Sequence, residues 1–149
     1  MSESTQTTGV VPAYDTKFEI NTTPKGATPT YKEVADLEEM QITVDGTVVE
    51  WTPYSQKGWT RRAVTGKKLG IAFKGKRNYG DAGNDYVAGL ILKKGKDVET
   101  DCKVTMPNGD LLEFPCVINT TNVFGGASTD LNALEFECLS DGEPSFTQV

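Results

Sequence analysis

The sequence predicts a small β-sandwich or barrel with one short helix, in a single domain spanning 1–149. Three observations predict it. Strand-like runs recur along the chain, separated by Gly, Pro, Asn and Asp turn signals. One stretch alone switches to helical spacing. The length, 149 residues, suits one domain that buries about two thirds of its unfolded surface, so neither a metal nor a disulfide is required for stability.

The elements follow in order. Residues 1–12 are polar and rich in Ser and Thr, with no basic or apolar leader, so they are expected to form a flexible N-terminal segment and no signal peptide. "KFEINTT" (17–23) alternates, with Phe18 and Ile20 on one side. "TTPKGATPTYKEVAD" (22–36) has turn-formers and little periodicity, and reads as a loop. "MQITVDGTVVEW" (40–51) reads as a hairpin turning at Asp45-Gly46, and "WTRRAVTGKKLGIAF" (59–73) as a second one turning at Gly66-Lys67. In 78–95, Tyr86, Val87, Leu90 and Ile91 have helical spacing. Asp81 or Asn84 can cap the start, Lys93 and Lys94 suit the far end, and Gly95 can stop it. That is a helix of two to three turns packed on the sheet. "ETDCKVTMPNGDLLEFPCVIN" (99–119) is a hairpin around Asn108-Gly109, and "NALEFECLS" (132–140) alternates again.

Chemistry is sparse. The chain has no histidine, which removes the usual general base, zinc ligand and pH switch. It has no CxxC, phosphate loop or GxSxG, and no cofactor or metal site is expected. Glu38 and Glu39, and Glu135 and Glu137, could pair for carboxylate chemistry, but read more simply as solvated faces. An odd cysteine count (Cys102, Cys116, Cys138) points to free thiols in a reducing compartment. With a two-residue turn at Asn108-Gly109, Cys102 faces Pro115 and Cys116 faces Asp101, on opposite sides of the sheet. The two "NTT" triplets, at Asn21 and Asn119, are taken as chance matches to a glycosylation pattern. No apolar run approaches the ~18 residues of a membrane anchor.

Charge is segregated. From Trp51 to Gly80 there is no acidic residue, and Lys57, Arg61, Arg62, Lys67, Lys68, Lys74, Lys76 and Arg77 give +8 within a chain of net charge −6. Three explanations compete for this basic loop or hairpin arm (51–77). It could bind nucleic acid, using Trp51, Tyr54 and Trp59 as stacking platforms, although the acidic remainder would repel a polyanion. It could be a protruding hairpin kept soluble by its lysines. Or a basic arm could meet the acidic body of another copy, head to tail, with Trp51, Tyr54, Trp59, Arg61, Arg62, Lys67 and Lys68 at the interface.

The order of parts resembles the major tail tube proteins of long-tailed, siphovirus-like bacteriophages, especially those of Gram-positive hosts. The resemblance is carried by "VEWTPYSQKGWTRRAVTGKKLGIAFKGKRNYGD" with the helix opening "GDAGNDYVAGL", by "MPNGDLLEFPCVIN", and by the closing "ALEFECLSDGEPSFT". It implies two packed antiparallel sheets flanked by a helix, and hexameric rings that stack into a hollow tube conducting DNA from capsid to host. Its arm and termini would reach the adjacent ring. It implies a structural, non-enzymatic subunit made in the host bacterial cytoplasm and located in the virion tail. Its partners would be itself, the tail terminator, the tape measure and the distal tail proteins, with DNA passing unbound. Asp97, Glu99, Asp101, Glu135 and Glu137 are candidates to line the bore, where like charge would let DNA slide; strand alternation lets only some of them face it. The inner tube of a contractile or bacteriocin particle, or a small nucleic-acid-binding β-barrel using 57–77, remain as alternatives.

Overall fold

A computed structural model describes residues 8–149; the expected mobility of the N-terminal segment falls partly on residues 1–7, outside the described residues. The described residues form eight strands and one α-helix: β1 (Lys17–Asn21), β2 (Tyr31–Glu33), β3 (Leu37–Trp51), β4 (Arg61–Lys76), α1 (Ala82–Ala88), β5 (Glu99–Thr105), β6 (Leu111–Asn122), β7 (Ala133–Ser140) and β8 (Ser145–Thr147). The strands make one antiparallel sheet in the order β2-β1-β5-β6-β7-β4-β3, with β8 added to β6. The two expected layers are the halves of this sheet folded toward one another. Phe18 of β1 lies four places from Phe73 of β4 in strand order, yet their rings meet at 4.2 Å, and Phe73 stacks on Phe136 of β7 at 4.8 Å. These rings, with Ile20, Ile71, Phe114, Ile118 and Leu134, are buried and come from alternate positions of their strands.

The helix is shorter than expected. Asp81 caps it, accepting from the Asn84 amide at 3.0 Å and from the Ala35 amide at 3.1 Å, so one carboxylate ties the helix start to the chain before β3. Gly89 closes it, and Gly95 instead opens a short 3₁₀ turn, Gly95–Val98. Val87 and Leu90 are buried against the sheet, as their spacing requires. Gly83 allows the close approach: a Cβ there would sit 2.3 Å from the Glu33 carbonyl oxygen.

Three sequence expectations are corrected. Tyr31–Glu33 is not loop but a short edge strand paired with β1. Neither Asp45-Gly46 nor Gly66-Lys67 is a turn: no positive φ occurs at these positions, and each lies inside a strand. β3 and β4 run through them and pair with each other from Leu37–Gly75 to Trp51–Arg61, with a bulge at Thr65. A ladder of that length outweighs two local turn signals. The third correction concerns the thiols. The β5–β6 turn has three residues, with Gly109 at φ 97° and the Met106 amide bonded to the Asp110 carbonyl. The register moves by one residue, so Cys102 faces Phe114 and Thr100 faces Cys116. Cys102 and Cys116 therefore share the core face, with Cys138 beside them, and all three are buried and free.

Candidate self-association surface

The β3–β4 pair leaves the body as a ribbon. Pairing of β4 with β7 ends at Gly70–Leu139, while pairing with β3 continues to Trp51–Arg61. The two-stranded part, from Val44 to Trp51, extends roughly 24 Å at about 3.4 Å per residue. Its tip is a 3₁₀ turn, Tyr54–Gln56, released by Lys57 and Gly58 at φ 54° and 93° and tied by Trp59 N to Gln56 O at 3.1 Å. Thr52 and Thr60 join their hydroxyls at 3.3 Å across its base.

The register sorts the ribbon into two faces. Ile42, Val44 and Val48 of β3, with Leu69 and Val64 of β4, continue the row that in the body carries Met40, Ile71 and Phe73. In the body that row is core. On the ribbon Val44, Val48 and Val64 are exposed, as is Ile42 just before it. The opposite face carries Thr43, Thr47, Val49 and Trp51. Sequence reading missed the apolar row because it assigned these valines to two separate hairpins. The signal that locates the true turn is Pro53 with Gly58.

The interface candidates are therefore dispersed. Trp51 and Arg61 meet, the guanidinium 5.3 Å from the indole centre. Arg62 is on the other face, its Nε donating to Glu50 Oε1 at 2.8 Å. Lys67 and Lys68 lie nearer the body on opposite faces, Lys68 facing Asp45. Tyr54 and Trp59 stand exposed at the tip. The stretch of +8 also divides. Between Val44 and Leu69 the ribbon has five cations and two carboxylates, leaving +3. Lys74, Lys76 and Arg77 belong to the body or its edge: Lys76 pairs with Glu38 at 3.0 Å, and Arg77 with Asp85 at 2.7 Å while lying over Tyr79.

An open groove of about 640 Å³ lies in the body, along the first residues of β3, and reaches as far as Ile42. Phe18, Val34, Met40 and Phe73 line it, together with carboxyl-bearing Glu33, Asp36, Glu38, Glu39 and Asp81. Apolar surface with acidic residues around it is the chemical complement of a tip made of Tyr54, Lys57, Trp59 and Arg61.

The acidic candidates fall together on a different surface. Glu99 and Asp101 of β5 and Glu135 and Glu137 of β7 alternate with buried Thr100, Cys102, Leu134, Phe136 and Cys138, so all four are on the sheet face away from the core. Glu113 of β6 joins them, opposite Lys103. Glu135 accepts from Asn122 Nδ2 at 3.1 Å. Asp97 is not on a strand; it sits in the 3₁₀ turn before β5, 3.1 Å from Lys25 Nζ. Among the described residues no helix is long and apolar enough to cross a membrane.

No family model and no curated protein matches the chain. Its fold is similar to solved structures. One is from the tail of an empty gene transfer agent particle, computed with helical refinement and C6 symmetry, at TM-score 0.72 and 21% identity over 93% of this chain and 100% of that one. Another is from the virion of a native gene transfer agent particle, at TM-score 0.68 and 18% identity over the same shares. The chain thus shares its mainly β fold, one antiparallel sheet with one helix, with a chain from the tail of a gene transfer agent particle and a chain from the virion of another.

Proposed function

We propose that this protein is the structural subunit of a phage-like tail tube, with copies closing into rings and rings stacking into a hollow conduit for DNA. The observation that carries this reading is the ribbon, whose core-side row of Ile42, Val44, Val48 and Val64 is left uncovered in one isolated copy. An apolar row of this kind on a projecting two-stranded element marks an interaction surface. The match over the whole length of a chain from the C6-symmetric tail of a gene transfer agent particle supports a ring of six. A long-tailed, siphovirus-like phage of a Gram-positive host is the finer assignment, supported by the resemblance of the sequence motifs.

In this reading the arm of one copy seats in the acidic groove of the next. Tyr54 and Trp59 fill the apolar part, and Lys57 and Arg61 approach its carboxylates. The face bearing Glu99, Asp101, Glu113, Glu135 and Glu137 turns to the bore, where it repels the phosphate backbone. Self-assembly is the whole activity; no step of bond chemistry is assigned to any residue.

Negative-stain electron microscopy of the concentrated protein tests this. Tubes are expected from the unaltered chain. Replacing Arg61, Arg62, Lys67 and Lys68 together by Glu should leave a folded monomer that forms none. Tubes of normal length from that variant would contradict the assigned role of the arm, and a low-salt gel shift of DNA abolished by it would favour a nucleic-acid-binding domain instead.

A further inference from the structure

Three thiols meet in the core. Cys102 of β5, Cys116 of β6 and Cys138 of β7 lie on three adjacent strands and on one face. The register explains the meeting. Cys116 sits between Thr100 and Ser140, so Cys102 and Cys138 are each two residues away on the flanking strands, pointing the same way. Their sulfurs all lie within 4.8 Å of one another. None of the three residues is more than 1% exposed, and none is in a disulfide. Phe114 and Ile118, the residues facing Cys102 and Cys138 across the β6 ladders, are also buried and close off water.

We propose that Cys102, Cys116 and Cys138 form a three-thiolate site for a thiophilic divalent d¹⁰ cation of the zinc and cadmium class. Metal–sulfur bonds of about 2.3 Å place coordinated sulfurs about 3.8–4.0 Å apart, so the triad closes on an ion through side-chain shifts of about 1 Å. Hard cations such as Mg²⁺ and Ca²⁺ are disfavoured, because they require oxygen ligands and soft sulfur suits d¹⁰ ions. Binding one M²⁺ converts three S–H groups to three M–S bonds and releases three protons to solvent. The oxidation state of metal and sulfur is unchanged. The complex carries one residual negative charge in an apolar setting, which favours the ion with the more covalent bonds to sulfur, cadmium over zinc. The bound ion would staple β5, β6 and β7 through their centres. Because the site is closed in the folded chain, loading belongs to folding.

The test uses the full-length chain, unfolded in guanidinium under nitrogen and refolded with or without one equivalent of Cd²⁺ alone. The expected result is one cadmium retained per chain after desalting, near-ultraviolet thiolate charge-transfer absorption, and a rise in Tm of about 5 °C or more. Cys116→Ala, refolded in parallel and checked by circular dichroism, should lose the absorption and the rise. The unaltered chain alone decides the matter if that variant fails to fold. Refolding with no retained cadmium and an unchanged Tm would overturn the proposal. So would a purified protein that, on denaturation, yields one titratable thiol in place of three, since the other two would then be a disulfide.

Discussion

Asn84 shows how much a single side chain can hold in this fold. It is wholly buried at the start of α1. Its Nδ2 donates to the carbonyls of Ala35 and Lys76, each at 3.0 Å, and its Oδ1 accepts from the Asn78 amide and from Arg77 Nη1 at 3.0 and 2.9 Å. One amide thus joins the helix to the residues before β3 and to the end of β4. Asn84→Leu keeps the branched outline of the side chain but orphans these partners, at about 1–3 kcal/mol for each buried group left unmet. Arg77 retains Asp85, which limits the total. Urea unfolding should show a loss of about 2–4 kcal/mol. The cap beside it, Asp81, was readable in the sequence because a capping carboxylate acts locally. The role of Asn84 was not: its two carbonyl partners lie 8 and 49 residues away.

At the scale of elements the arm carries the argument. Its apolar and charged contributions separate by experiment. Val48→Lys with Val64→Lys charges the uncovered row and touches no core residue. The monomer should keep its Tm within about 2 °C, as exposed substitutions do, while tubes fail at every salt concentration. Lys67→Glu with Lys68→Glu reverses charge and leaves the apolar row in place, so assembly should weaken most at low salt, where charge acts with least screening, and approach the unaltered protein as salt rises. Sedimentation velocity across a salt series measures both. Elements were legible in the sequence where the governing pattern is short: the alternation of β1 and β7, and the spacing of Val87 and Leu90. They were not where pairing is long-range. Asp45-Gly46 and Gly66-Lys67 carry real turn chemistry, overridden by a partner strand some 20 residues away. The +8 stretch looked uniform because Glu50, Glu38 and Asp85, which meet Arg62, Lys76 and Arg77, lie outside it. The slip at Gly109 is one residue, yet it decides whether the cysteines part or meet.

For the whole molecule, charge now has a more specific part than the sequence implied. The candidate interface is not a basic arm alone. It combines an uncovered apolar row, an aromatic and cationic tip, and an acidic groove along the body end of β3. A protomer carrying both a projection and its complement makes heterologous contacts, which close as rings or propagate as filaments. The acidic sheet face is separate from both, because strand alternation places Glu99, Asp101, Glu135 and Glu137 opposite the core. In the proposed tube that separation would let one surface assemble while another meets DNA. Helical reconstruction of tubes formed by the purified protein tests the account most directly. The row of Val44, Val48 and Val64 should be covered by a neighbouring copy, the Tyr54–Trp59 tip should lie in that copy's groove, and the Glu135 face should turn toward the bore. A map with the arm hanging in the bore, touching only solvent or DNA, would contradict it.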